Sequence, residues 1–300
     1  MTSRLSFQGP IQTAWDSTSL NTFKECPRKY YYRIVLGRAT RERSVHLDFG
    51  IFLHYGVEQY HHHRASGEAH PKALRESLRS TLQASWGWNP DDPYKNRQTL
   101  VRTLVWYLDA VAASDPAETV ILANGKPAVE LSFRFQIPDA PEFLYCGHMD
   151  RLATVGAQTF VFDLKSTKRP LSTQFFDQFS PHNQMTGYTL GGKITCAAPV
   201  AGVVIDAAQV GVTFARFARG LAPRPDAVLD EWLKATAYWV KLAAQYAEAS
   251  FWPMNESSCD KFFGCEFRHV CAKAPRQRQA WLDADFVERL WDPLQIRGDI

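Results

Sequence analysis

The sequence contains no stretch approaching the roughly eighteen uninterrupted apolar residues that a membrane-spanning helix needs. Its opening, Met1-Thr2-Ser3-Arg4-Leu5-Ser6, lacks the apolar segment of a signal peptide, so a soluble cytoplasmic protein with no membrane association is expected. Excess charge of one sign is missing too. With 34 basic and 31 acidic residues the net charge is only +3, unlike a chromatin or ribosomal protein, and any nucleic-acid site has to be local. Internal repeats, low-complexity tracts and clear linkers are absent. So is a Walker-type G-x-x-x-x-G-K-[ST], which excludes a P-loop motor on this polypeptide. Cysteine is sparse, six in 300 residues and irregularly spaced, which in a reducing compartment favours metal over disulfides. What is plentiful is hydrophobic content, 45%, ample for a buried core.

Periodicity gives the organisation. A helical segment over 20–36 is interrupted at Cys26-Pro27; 49–64, 71–85 and 94–113 read as helices, with 86–93 a loop. Strands are expected near 129–137, 144–152 and 159–165, then a helix around 181–191, strands at 200–206 and 210–217, and a long helix over 225–249. This is an α/β pattern, and it suggests one domain over 1–300 with a helical insertion at about 67–120 and a Cys-rich segment at about 250–300.

The densest chemistry lies in 147–188. Along the strand ending at Lys165, Asp163 and Lys165 alternate with Phe162 and Leu164 and leave by the same face. Asp150 ends the preceding alternating stretch, where an adjacent strand brings its carboxylate beside that of Asp163. Two such carboxylates call for a divalent cation between them, and hard oxygen donors suit Mg²⁺ or Mn²⁺. Gln184 and Tyr188 follow, one helical turn apart and on one face.

Gly147-His148-Met149-Asp150, Asp163-Leu164-Lys165 and Gln184 to Tyr188 together resemble the PD-(D/E)XK nuclease superfamily, in particular its RecB-like branch with G-x-x-D, D-x-K and Q-x-x-x-Y motifs. Phe49 to His54 resembles that family's histidine motif, on a helix with apolar stripe Phe49, Phe52, Leu53, Val57 and Tyr60. The resemblance implies a restriction-endonuclease-like core, a central mixed sheet flanked by helices. It implies that His54, Asp150, Asp163 and the Leu164 carbonyl hold Mg²⁺ or Mn²⁺, that Lys165 activates water, and that Gln184 and Tyr188 orient the lysine and the strand. Glu130, on the polar face of a period-two strand, either reaches the metal through water or is simply solvated. The run His61-His62-His63 is expected in solvent. Lys168 and Arg169, adjoining the site, are candidate DNA contacts.

Three cysteines, Cys259, Cys265 and Cys271, form C-x5-C-x5-C, and Cys26 lies near the other end of the chain. Thiolates in fours suit zinc or an iron-sulfur cluster. Similarity to iron-sulfur nucleases of the superfamily, including CRISPR adaptation and phage recombination exonucleases, implies a [4Fe-4S] cluster on one N-terminal and three C-terminal cysteines, although the first interval here is longer than theirs. Cys146 and Cys196 are read as buried core thiols. The expected activity is metal-dependent DNA hydrolysis, an exonuclease on single-stranded or end-containing DNA, with a helicase or a recombination or adaptation protein as partner in a prokaryotic or phage-infected cell. A structure-selective endonuclease, or a non-catalytic DNA-binding subunit, is the alternative.

Overall fold

The computed structural model describes residues 4–261 and 264–295; 262–263 and 296–300 of the expected Cys-rich segment lie outside the described residues. The main elements are, in chain order, α1 (Ser17–Glu25), α2 (Val45–Ala65), α3 (His70–Ala84), α4 (Arg97–Ala110), β1 (Val129–Ile137), β2 (Ala140–Val155), β3 (Gln158–Thr167), α5 (Asn183–Cys196), β4 (Val200–Val210), β5 (Ala215–Pro223) and α6 (Asp226–Glu248). Among the described residues no helix is long and apolar enough to cross a membrane. The described residues form two compact units, one of 44–133 and 148–229, the other of 4–43, 134–147, 230–261 and 264–295.

The first unit is built on β3. This strand runs antiparallel to β2, from Arg151↔Phe162 to Val155↔Gln158, and parallel to β4, with Asp163 opposite Ile205 and Lys165 opposite Ala207. β5 returns antiparallel along β4. The result is a mixed sheet, as expected, and β3 is buried without interruption from Phe160 to Leu164 because helices cover both of its faces. On one face Leu164 packs with Phe49, Leu53, Val57 and Tyr60 of α2 and with Leu100 and Leu104 of α4. On the other lies α5, whose Gly191 and Gly192 approach the sheet so closely that added Cβ atoms would stand 2.7 Å from the Phe133 ring and 3.1 Å from Leu152. α4 begins with a reciprocal cap between Asn96 and Thr99.

Several boundaries differ from the sequence expectation, among them those of β4, β5 and α5. The strand read as ending at 206 continues to Val210, and its partner occupies Ala215–Pro223. The intervening Ala207-Ala208-Gln209 is weak in β propensity but buried in the sheet, where pairing outweighs propensity. α5 starts after Pro181, at Asn183, and extends to Cys196, ending where Ala197 turns left-handed with φ 48°.

In the second unit α1 is capped by Asp16, whose carboxylate accepts the Ser19 N–H. It stops at Cys26, held extended (φ −161°) by the following proline, and a short helix restarts with Pro27 in its first turn. Trp15 stacks on Tyr30 at 5.2 Å, and Phe23 and Trp252 close the aromatic core around them. The pair Ala14–Trp15 runs parallel to Leu144 and Tyr145 of β2.

Helix packing in the first unit is tight enough to test. Gly56 of α2 lets α3 and α4 approach, and a Cβ there would meet Thr81 Oγ1 at 2.5 Å and Leu104 at 2.8 Å. Gly56→Ala should therefore destabilise by about 1–3 kcal/mol through overpacking, read as a lower urea midpoint with unchanged slope. An unchanged midpoint would show that the helices have room to move apart.

Lys95 is the other test. It is 2% exposed, with Nζ 2.9 Å from Ser166 Oγ and 4.0 Å from the Phe49 ring centroid. Burial, reinforced by the charge of Lys168, lowers its pKa from 10.5 to about 7. Between those values the unfolded chain holds a proton that the folded one has released, so this residue makes stability rise as pH increases from about 7 to 10. Lys95→Met should flatten that rise in urea unfolding at neutral and alkaline pH; parallel pH profiles for both proteins would contradict the assignment.

Candidate active site

The ladder between β2 and β3 is continuous as far as Arg151↔Phe162. One residue further the paired register ends and a side chain takes over: Asp150 Oδ2 accepts the Leu164 N–H at 2.8 Å. The same oxygen lies 3.1 Å from His54 Nδ1, presented by α2. His54, Glu130 and Asp150 each offer a donor atom within 4.8 Å of the others. Glu130 does not sit on a regular strand face. Its backbone is left-handed, with φ 48°, an unusual conformation for a residue with a side chain.

Asp163, 1% exposed, faces Lys165, whose Nζ donates to Oδ1 at 2.9 Å. Oδ2 is 2.7 Å from the same nitrogen but outside hydrogen-bond geometry, leaving a buried carboxylate oxygen without a hydrogen bond. Lys165 also donates to Gln184 Oε1 at 3.1 Å, and Gln184 Nε2 donates to the Tyr188 hydroxyl at 2.9 Å. The D-x-K strand and the Q-x-x-x-Y helix are thus joined by one hydrogen-bonded chain, Asp163 to Lys165 to Gln184 to Tyr188.

The two acids are driven apart electrostatically. Burial favours the neutral form of both carboxyls. For Asp150 this is outweighed by the charge and hydrogen bond of His54, with Lys165 and the Leu164 N–H, and its pKa lies below the usual carboxylate range. For Asp163 burial wins despite Lys165, helped by the neighbouring charge of Asp150, and its pKa is raised. His54 is subject to burial that disfavours its charged form, yet Asp150 raises its pKa overall. The imidazole of His54 and the carboxylates of Glu130 and Asp150 make a donor set that fits a divalent cation of the Mg²⁺ or Mn²⁺ type, while Asp163, its Oδ2 2.7 Å from Lys165, is not part of that close group.

Behind this cluster is a cavity of about 30 Å³, room for one water, bordered by His54, Glu130, Asp150, Arg151, Tyr107 and Asp206. Sequence reading missed the ionic network there. Arg151 pairs with Asp115 at 2.9 Å, and Arg219 bridges Asp115 and Asp206 at 2.7 and 2.9 Å. The Tyr107 hydroxyl donates to Asp206 at 2.8 Å. Despite its burial, hydrogen bonding to Arg219, with the charge of Arg151, takes Asp115 down to about 2. No motif marks these residues, which come from five separate stretches of chain. His61 belongs to the same network and corrects the expectation of a solvated histidine run. It is buried, 3.3 Å from Arg151, because it lies on the inward side of α2, whereas His62 and His63 pair with Glu58 and Glu68 nearer the surface. Lys168 is paired with Asp92 at 3.0 Å, and Arg169 is exposed.

In the second unit the four candidate ligand cysteines are free thiols, Cys26 buried and Cys259, Cys265 and Cys271 half-buried. Cys265 and Cys271 pack on the cluster of Tyr32, Phe267, Val270, Leu282 and Phe286. Burial, with the charges of Cys265 and Cys26 also within reach, raises Cys271 to about 11; Cys265 is raised by burial and by Glu266 and Cys259. Cys271 thus lies within electrostatic reach of Cys265 and Cys26, and Cys265 within reach of Cys259, but among the described residues the four sulfurs do not form a close metal-binding group. Cys146 is a buried thiol, its Sγ 3.3 Å from the Trp15 carbonyl. Cys196 is only half-buried, because it ends α5, and its Sγ donates to the Gly192 carbonyl.

Comparison with known proteins bears on this geometry. None of the curated proteins matches the chain. Among solved structures it is similar to the crystal structure of a protein from Eubacterium rectale assigned as an exonuclease, with a TM-score of 0.51 and 11% identity over 82% of this chain and 85% of that one. At that identity the likeness speaks for the fold alone. The family model of the PD-(D/E)XK nuclease superfamily matches residues 15–272, which is most of the sequence. The chain is therefore a member of the PD-(D/E)XK nuclease superfamily.

Proposed function

We propose that this protein is a metal-dependent deoxyribonuclease of the RecB-like branch, acting as an exonuclease on single-stranded DNA ends in recombination, repair, or phage or CRISPR DNA processing. The observation that carries this reading is the placement of Lys165, whose ammonium is held between Asp163 and Gln184 while Asp150 stands beside Asp163 with His54 and Glu130. In this reading His54, Asp150, Asp163 and the Leu164 carbonyl hold Mg²⁺ or Mn²⁺, with Glu130 as a further donor. Bound there, the cation would supply Lewis-acid polarisation of the scissile phosphate and lower the pKa of an attacking water.

The chain's own residues do the rest. Lys165 keeps its charge aimed at the reacting phosphate because Asp163 fixes one N–H and Gln184 another, so little reorganisation is needed as negative charge develops. Gln184 keeps its carbonyl toward the lysine because its amide is committed to Tyr188. Both sit on α5, pressed close to the sheet by Gly191 and Gly192, which limits the freedom of the lysine's partner. The sequence carries no Walker motif, so strand separation falls to another polypeptide, a helicase or a recombination or adaptation protein.

Lys165→Ala should reduce cleavage of end-labelled single strands in Mn²⁺ by on the order of a hundredfold or more, with thermal stability and DNA affinity in EDTA nearly unchanged. Substantial residual cleavage would remove the lysine from the mechanism. Circular single strands should resist the wild type; rapid cutting of circles would replace the exonuclease reading with an endonuclease, and no cleavage of either would leave a binding subunit.

For the second unit we propose a [4Fe-4S] cluster on Cys26, Cys259, Cys265 and Cys271, supported by all four being free and by Cys26, Cys271, Cys265 and Cys259 following one another within electrostatic reach. Its role would be structural, since it ties residues from opposite ends of the chain and removes about 5 kcal/mol of loop entropy from the unfolded state. Protein purified without oxygen should be brown, Cys26→Ala should bleach it and lower its melting temperature, and Cys196→Ala should do neither. Colourless protein with about one zinc per chain would keep the clasp and reject the cluster, while metal-free protein of full stability would reject both.

A further inference from the structure

Immediately past Lys165 come Ser166 and Thr167, which end β3, and then Lys168, and the loop before α4 is fastened to this stretch at two points. Buried Lys95 donates to Ser166 Oγ at 2.9 Å, and Asp92 pairs with Lys168 at 3.0 Å. Between those points sits Tyr94, whose main chain is fixed at both ends. Its N–H donates to Asp92 Oδ1 at 2.8 Å, and its carbonyl accepts from Thr99 Oγ1 at 2.8 Å. Upstream, Trp88 is wedged edge-on against Phe52 at 5.3 Å, so the loop is also held by the core. The Tyr94 side chain is nevertheless 38% exposed, with Lys168 Nζ 4.7 Å from its ring centroid.

Burying a lysine is costly unless it is hydrogen-bonded, and the bond that Lys95 makes, to Ser166, fastens a loop that carries an exposed ring. A rigid aromatic surface beside a cation, three residues of chain beyond the D-x-K lysine, is the combination by which proteins hold single-stranded nucleic acid. The ring stacks a base of any identity, and the cation meets the phosphate next to it. We infer that Tyr94, with Lys168, is a stacking step for an unpaired base of the substrate strand, placed next to the hydrolytic centre. This rests on the deoxyribonuclease reading and narrows it, because a base locked in a duplex offers no free face to the ring; the step selects unpaired DNA.

The test is fluorescence anisotropy in EDTA with two labelled oligonucleotides of equal length, one oligo-dT and one abasic throughout. Tyr94→Ala should weaken oligo-dT binding roughly five- to a hundredfold while hardly changing the abasic probe, and Tyr94→Trp should retain wild-type preference for bases. Equal loss on both probes, or no loss on oligo-dT, overturns the stacking step. Wild-type protein that holds neither probe overturns the deoxyribonuclease reading along with it, an outcome distinct from a wild type that binds both and a variant that behaves like it. The exposed position of Tyr94 makes misfolding of the variants a poor explanation, and their urea midpoints, expected to match wild type, check it directly.

Discussion

Two carboxylates placed side by side in a buried site repel each other, and the fold has to impose that arrangement before any cation relieves it. Here the imposition comes from strand register. β2 and β3 pair down to Arg151↔Phe162, and the next step would pair Asp150 with Asp163. Asp150 uses its side chain to accept the Leu164 N–H, so the acid is itself part of the sheet's hydrogen bonding. A slip of one residue would turn Asp163 and Lys165 to the face that Leu164 now fills. Leu164 is held there by Phe49, Leu53 and Leu100, so hydrophobic packing on one face of β3 fixes where Asp163 and Lys165 stand on the other.

The ionic network behind the site extends the same constraint. Arg151, next in sequence to Asp150, is 4% exposed, and its guanidinium is held by Asp115. Arg219 then links Asp115 to Asp206, and Asp206 lies opposite Leu164 on the neighbouring strand. Each charge in this group is compensated by another, which is the condition for burying them at all. Its consequence is positional. Arg151, beside Asp150, and Asp206, opposite Leu164, are tied to one another through Asp115 and Arg219.

Much of this was legible in the sequence, for identifiable reasons. The α/β order, β3 with its alternation of Asp163 and Lys165, and the helical turn joining Gln184 to Tyr188 are local patterns, and periodicity reports them directly. What was hidden depends on tertiary placement. Lys95 looks like any loop lysine until Ser166 and Phe49 close around it. His61 reads with His62 and His63 as one run, though the helical period sends only the first of them to Arg151. The extension of β4 through Ala207-Ala208-Gln209 is decided by pairing with β5 and β3, which a single-strand propensity does not contain.

Glu130 shows where pattern reading is physically bound to fall short. In sequence it sits in a clean alternation of Val129, Leu131, Phe133 and Phe135, which places its carboxylate on a regular polar face. In the structure its φ of 48° breaks that regularity, a conformation costing on the order of 1 kcal/mol or more for a residue with a Cβ. A solvated surface glutamate gives the chain no reason to keep such strain. Its carboxylate lies within 4.8 Å of donor atoms on His54 and Asp150. Neither the backbone outlier nor that nearness is carried by the alternation of the sequence, which is why the pattern left a water-mediated metal contact and a solvated position equally open.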